Sequence, residues 1–526
     1  MKKTLSFLVV FLLMTSVFLF AGGGTETGTP SGAPVSITVE VFDRGSDGGR
    51  SKAHDNAWTQ WIHDKALKDI NVNVTFVPVG RWSEVTDITN LMASNSAPDL
   101  CYTYNTGMID TFGAQGGILD LTPYIDKLLP DMKKLLGDDP AMPGKALIYR
   151  DQKPDTKKQW SVTNYVTNLA RKNLFIRKDW LDKLGLPLPK TTKEFHDALV
   201  AFRDKDPGNV GKNNVIPLGQ DSDARWGLSP IIYTYFTNKK GGRDEWINFF
   251  TDRPIGMPGY KEGVRVMNQW YNEGLIYKDF PLMKVPDDYW NLIKSGRVGA
   301  FGGNWDLPYR QDYKINEELA KNVPGAKFVP VDAIDGPDKS YFKEISDKPG
   351  LRIFIPAASK NPEAALRYLN WLCKFENFNF LQIGEAGRNH DLVDGVPKAK
   401  PATGAWIMNS ANNIDITMPI NGIELLSTEK NARVLALNYG NTPPADIVNA
   451  YNISISKGKA PAVFVVTETK LPPVSQTLMD KADALIAQSI TAPAARFDSV
   501  WDTGYRDWLS SGGQDVINER STLWKK

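Results

Sequence analysis

Val35, Ile37, Val39 and Val41 alternate with polar residues, which is the period of a strand with one buried face. From about His54 to Lys68 the spacing becomes helical, and Val72 to Val77 returns to a strand that Pro78 is expected to stop. Ser83 can cap a helix with Val85, Ile88, Leu91 and Met92 on one face. The run APDLCYTYN then supplies a third strand with Tyr102, Tyr104 and Asn105 at its end. Strands and helices alternating in this order predict an α/β fold with a largely parallel sheet. In such sheets ligands bind beyond the carboxyl ends of the strands, which directs attention to the glycine-rich loop from Phe42 to Arg50.

The pattern is most informative from Asn173 to Gly219. Leu174, Phe175 and Ile176 form an apolar run, a short helix spans Lys178 to Leu184, and Gly185 can end it in the left-handed conformation. Pro187 and Pro189 keep the chain extended. Thr191 and Glu194 have capping-box spacing, and Phe195, Ala198, Leu199 and Phe202 follow at i, i+3, i+4 and i+7, as one buried helix face requires.

This order of parts, with IRKDWLDKLG from Ile176 to Gly185, resembles the crossover into the second lobe of extracellular solute-binding proteins of family 1. It is most similar to the large branch serving oligosaccharide ABC transporters, which includes the alginate-binding proteins. Ala93-Ser94 with Pro98-Asp99, the segment Gly116 to Leu136, and the terminal WLSSGGQDVINER extend the likeness. Gly384, Gly387, Val393, Asp394 and Gly395 keep the frame of a family loop whose acidic, His and Tyr places hold Ala386, Asn389 and His390 here.

The resemblance implies a two-lobed periplasmic binding protein fold of type II, each lobe a largely parallel sheet flanked by helices, with an interlobe cleft. The expected organisation is a signal peptide over 1–21, a flexible leader over 22–34, a first lobe from 35–165 and 337–400, and a second from 166–336 and 401–526. Lys2 and Lys3 before an uncharged apolar run, then Ala21 and Gly22 to Gly24, are the grounds for the signal. No cysteine lies at the cleavage point, so the expected location is periplasmic and not that of a lipoprotein; secretion or a retained membrane anchor are the alternatives. Cys101 and Cys373, the only cysteines, are read as buried free thiols.

Charge narrows the classes further. The chain has 62 Lys plus Arg and 60 Asp plus Glu, and loss of Lys2 and Lys3 balances the two, which leaves no electrostatic footprint for nucleic acid. Four histidines show no paired metal-ligand spacing, and there is no G-x-S-x-G elbow. The sequence GNVGK from Gly208 lacks both the spacing and the hydroxyl of a phosphate loop. No catalytic residue is assigned.

Fifteen Trp, 18 Tyr and 23 Phe suit a protein that grips sugars, because a ring face covers the apolar C–H face of a pyranose. Candidate ligand contacts are Arg44, Tyr102, Tyr104 and Asn105 from the first lobe, Trp226, Trp305 and Asp306 from the second, and Trp160, His390 and Trp406 near the crossings. Arg225 and Arg388 could pair with uronate carboxylates. In alginate-binding relatives the loop after the Thr191 helix is a calcium site. Here Asp206, Gly211 and Asn214 keep three of its places, but Gly208 and Val210 remove two ligands, so the loop is read as a structural turn and no cofactor is expected, with a bound calcium as the alternative.

The function implied is the substrate-binding component of a carbohydrate ABC importer, a monomer that delivers an oligosaccharide to separate permease subunits. A peptide receptor on the same fold and a secreted polysaccharide-degrading enzyme are the alternatives.

Overall fold

A computed structural model describes residues 32–45, 51–137, 147–153, 155–239, 242–283, 287–310, 313–346, 349–408, 410, 413–440, 442–456, 458–460 and 468–524. The signal expected over 1–21, most of the leader, and Ser46 to Arg50 lie outside the described residues.

The chain first lays down β1 (Val35–Asp43), β2 (Val72–Gly80), β3 (Cys101–Thr103) and β4 (Val162–Val166), and 167–171 carry it across to β5 (Lys172–Arg177). After β6 (Ile216–Gly219), β7 (Val298–Asn304) and β8 (Phe328–Val331) it returns to β9 (Pro349–Phe354). A hairpin, β10 (His390–Val393) and β11 (Val396–Ala399), precedes the short β12 (Ile420–Asn421).

In the first lobe β1 and β2 are parallel, from Val35 opposite Val72 to Asp43 opposite Gly80. Pro78 does not stop β2. This strand pairs on one side only, where a missing N–H is tolerated. A parallel bridge between Val39 and Leu100 sets β3 beside β1. Strand β9 lies between β3 and β4, antiparallel to both, and β12 runs parallel to β4. The second lobe has the order β6-β7-β5-β8, with β6 parallel to β7 and β5 antiparallel to both its neighbours.

Each lobe therefore has parallel strands and one reversed strand, and that strand is the first one after a crossing. A strand entering from the other lobe starts at the cleft and runs away from it. The native strands run toward the cleft, so their carboxyl ends line it. Lys172 opposite Asn304, and Tyr165 opposite Pro349, mark this edge in the two sheets.

One core runs from Ile37 to Val162, takes in Leu351 to Leu381, and adds Ile416 and Met418. Two further clusters fill the second lobe, one reaching from Leu174 to Val516 and one centred on Phe175, Phe301 and Trp305. Trp406, Met408, Ile416 and Met418, expected in the second lobe, pack instead on the first. Ile416 and Met418 join the first core and β12, led by Ile420, covers the open edge of β4, so the last crossing follows β12. Cys101 and Cys373 are free and buried.

Local signals explain the segment that carries the resemblance. Gly185 ends the helix Lys178–Leu184 at φ 66°. Thr191 Oγ1 accepts from Glu194 N at 3.1 Å and Glu194 Oε2 from Lys190 N at 2.7 Å, starting the helix Thr192–Lys205 whose buried face is Phe195, Ala198, Leu199 and Phe202.

The helix Ala224–Gly227 presses directly on β7. A Cβ placed on Gly302 would stand 1.9 Å from the Gly227 carbonyl oxygen, a backbone atom that cannot swing aside. Gly302→Ala should therefore destabilise the protein by about 3 kcal/mol, read as a lower thermal midpoint; an unchanged midpoint would show that this approach is not tight.

Candidate ligand-binding cleft

Side chains at the carboxyl ends of β1 to β3 form the rim of the first lobe. Arg44 follows β1 and makes a two-pronged pair with Asp415, Nε to Oδ2 at 2.7 Å and Nη2 to Oδ1 at 2.8 Å. Burial works against the Arg44 cation, but the Asp415 hydrogen bonds outweigh it and raise its pKa. Tyr104, after β3, is half-buried and stacks on Phe42 with ring centres 6.2 Å apart. Asn105 Oδ1 accepts from Met108 N at 3.0 Å and so caps the helix Thr106–Ala114.

The rim of the second lobe is a connected set of charges. Arg171, on the first crossing, bonds Asp252 at 2.7 Å and Glu344, on the second crossing, at 2.9 Å. Arg225 holds the other Asp252 oxygen at 2.8 Å. Lys172 Nζ lies 2.9 Å from Ser229 Oγ, 3.7 Å from Glu344 and 4.0 Å from the centre of the Trp226 ring. Burial pulls its pKa down to about 8, with Glu344 opposing the shift and Arg171 adding to it.

Six of the ten candidates therefore stand at cleft-facing strand ends: Arg44, Tyr104, Asn105, Trp226, Trp305 and Asp306. Trp305 turns away from the cleft, however. It is 3 % exposed and packs edge-on against Tyr439 and Tyr451. Asp306 is spoken for, accepting from Arg310 Nε at 2.9 Å and Tyr439 Oη at 2.8 Å. Tyr102 is fully buried; its hydroxyl accepts from Phe42 N and donates to the Asp415 carbonyl, so it offers no face to a ligand. Trp160 precedes β4 at the end away from the cleft, packed so closely on Gly113 that a Cβ there would stand 2.2 Å from its ring. Arg225 is held by Asp252 and Asp223 and is no free partner for a carboxylate.

A recess gathers Arg388, His390, Lys400, Trp406 and Asn438. Ile423, just past the cleft-facing end of β12, also lines it. His390 is nearly buried and pairs Nδ1 with the Ile383 carbonyl at 3.1 Å. Trp406 is half-buried, edge-on to Trp58, with the Arg388 guanidinium 4.6 Å from its ring centre. Arg388 also pairs with Glu385. Aromatic surface and hydrogen-bonding groups thus meet in one hollow.

Residues 50–373 match the model of the bacterial extracellular solute-binding protein family. The chain belongs to this family. Among relatives of this solute-binding protein, the polygalacturonan/rhamnogalacturonan-binding protein YtcQ of Bacillus subtilis is 22% identical over 476 residues, covering 89% of this chain and 85% of YtcQ. The solved structure of alginate-binding protein AlgQ2 without calcium ion superposes with a TM-score of 0.68 at 17% identity, over 94% of this chain and 99% of AlgQ2. The Streptococcus pneumoniae substrate-binding protein FusA in complex with kestose gives 0.63 at 16% identity, over 93% and 99%. These likenesses agree with the two-lobed architecture described above.

In this solute-binding protein the calcium-like loop is satisfied from within. Asp206 accepts from Val210 N at 2.9 Å and Gly211 N at 2.8 Å, and Asn214 Nδ2 donates to the Val210 carbonyl. Glycine and valine stand in two of the ligand places. Among the described residues no three His, Cys, Asp or Glu come together as a metal site. No described helix is long and apolar enough to cross a membrane.

Two rim residues escaped the sequence reading. Trp82, directly after β2, is 81 % exposed. Asp221, after β6, accepts from Gln220 Nε2 and Asp223 N, both at 2.9 Å. The only local signal for either is its place one or two residues past a strand end.

Burial lifts the Asp221 pKa to about 6, with repulsion from Asp223 adding to it. The folded value lies above the unfolded one, so the stability this group contributes is present at low pH and is lost as pH rises through about 6. Asp221→Asn should be more stable than the parent at pH 7.5 by on the order of 2 kcal/mol, an advantage that shrinks toward pH 4. Denaturant unfolding of both proteins across this range checks it; a constant difference would contradict it.

Proposed function

We propose that this protein is the substrate-binding component of a carbohydrate ABC importer. It captures an oligosaccharide between two lobes that close on it, and separate permease subunits receive the sugar. The observation that carries this reading is the recess where Trp406 meets Arg388, His390 and Asn438, with Trp226 at the rim of the second lobe beside Lys172. Ring faces to cover C–H surfaces, beside groups that bond hydroxyls, are what a sugar requires. Relatives with sugar-binding names, YtcQ, FusA and AlgQ2, support it. Of the sequence candidates, Arg44, Tyr104, Asn105, Trp226, His390 and Trp406 remain as contacts.

The role is capture and not catalysis, and the protein works as an exported, periplasmic monomer. Closure follows from binding only if the sugar contacts both lobes better when they are shut. Arg388 would favour a uronate over a neutral sugar only by exchanging Glu385 for the sugar carboxylate.

Thermal unfolding should be recorded with oligogalacturonides, alginate oligosaccharides, fructooligosaccharides, xylo-oligosaccharides and a peptide mixture, each with and without calcium. One sugar class should raise the midpoint, by about 2.7 kcal/mol of stabilisation at a hundredfold excess over its dissociation constant, and should be recovered uncut. Calcium alone should leave the midpoint unchanged. A shift with peptides only, or sugar returned as fragments, would overturn the reading.

A further inference from the structure

Trp82 is the one tryptophan of the chain that stands exposed; the other fourteen are buried or half-buried. Leaving an indole in water forgoes the burial that usually justifies so large an apolar side chain, so the position asks for an occupant. The ring is also held in place. The turn that carries it is tied to β1, with Arg81 N donating to the Asp43 carbonyl at 2.9 Å. The Arg81 guanidinium is 5.2 Å from the Trp82 ring centre, 4.4 Å from that of Tyr104 and 5.3 Å from that of Phe42. Glu84 fixes Arg81 through a 2.9 Å ion pair. Phe42, Tyr104, Arg81 and Trp82 thus form a braced group of faces whose last member is open to solvent.

Two further observations say what would cover it. The ring sits at the carboxyl end of β2, the side of the sheet that lines the cleft. The cations beside it are already matched, Arg81 by Glu84 and Arg44 by Asp415, so no free charge there would draw an anion. We propose that Trp82 is a sugar-stacking platform at the outer edge of the first lobe, taking the C–H face of one pyranose of the bound oligosaccharide, and that Arg81 is its positioning residue. This rests on the carbohydrate reading above and adds a contact at a rim outside the Trp406 recess.

The test compares the full protein with Trp82→Ala and Trp82→Phe by calorimetric titration with the four oligosaccharide families named above, together with iodide quenching of tryptophan fluorescence. The exposed position lets both variants keep the parent's thermal midpoint without sugar. The alanine variant should bind every sugar that the parent binds about tenfold more weakly, while phenylalanine restores most of the affinity. The quenching that the parent shows beyond the phenylalanine variant should disappear when sugar is bound. Binding by the parent that the alanine change leaves within twofold, or a Trp82 that stays open to iodide in the sugar complex, overturns the platform and leaves the carbohydrate reading standing. A parent that binds none of the four families overturns both.

Discussion

A strand that enters a lobe from the cleft must leave the cleft behind it, and this directional constraint organises the molecule. It reverses β5 and β9 against their neighbours. With those two turned, the remaining strands of both sheets aim their carboxyl ends at the same gap. Chain direction thereby brings Arg44 and Tyr104 to the cleft edge of one lobe and Trp226, beside Lys172, to that of the other.

The crossings themselves are tied together by charge. Glu344 on the second meets Arg171 on the first and Lys172 at the start of β5, and Asp252 joins Arg171 to Arg225 beside Trp226. Buried ion networks of this kind contribute little net stability, but removing one member leaves the others uncompensated. The geometry of the two connections is therefore held jointly. A ligand touching both lobes would act on this joint through its difference in affinity for open and closed arrangements.

Much of this was legible in the residue pattern. Alternation at Val35 to Val41 and the Thr191–Glu194 cap are local features, and local features appear in the structure where the spacing puts them. The strand-end rule brought Arg44, Tyr104, Asn105 and Trp226 to the cleft edge. It failed to separate Tyr102 from Tyr104, because a period of two puts both on one face; β3 ends at Thr103, so Tyr102 packs in the core while Tyr104 lies past the strand. It failed again for Trp305 and Trp160, because an aromatic residue that packs and one that binds have the same sequence signature. The partner of Arg44 lies 371 residues away at Asp415, a pairing no local spacing encodes. The same distance hid the apolar residues from Ile416 to Ile420, which belong to a lobe the chain had already appeared to leave.

The place of β9 also sets an order of assembly. It separates β3 from β4, and its residues Leu351, Ile353 and Phe354 lie in the first-lobe core with Val39 and Val162. Before β9 has been made, β3 and β4 have no common neighbour and that core lacks its middle. The second lobe, whose strands β5 to β8 are contiguous in the chain, has its whole sheet available earlier. Although the first lobe begins at the amino end, its sheet is the one obliged to wait, and the second lobe's core closes later still, with the helices that reach Val516; long-range closures of this kind slow folding.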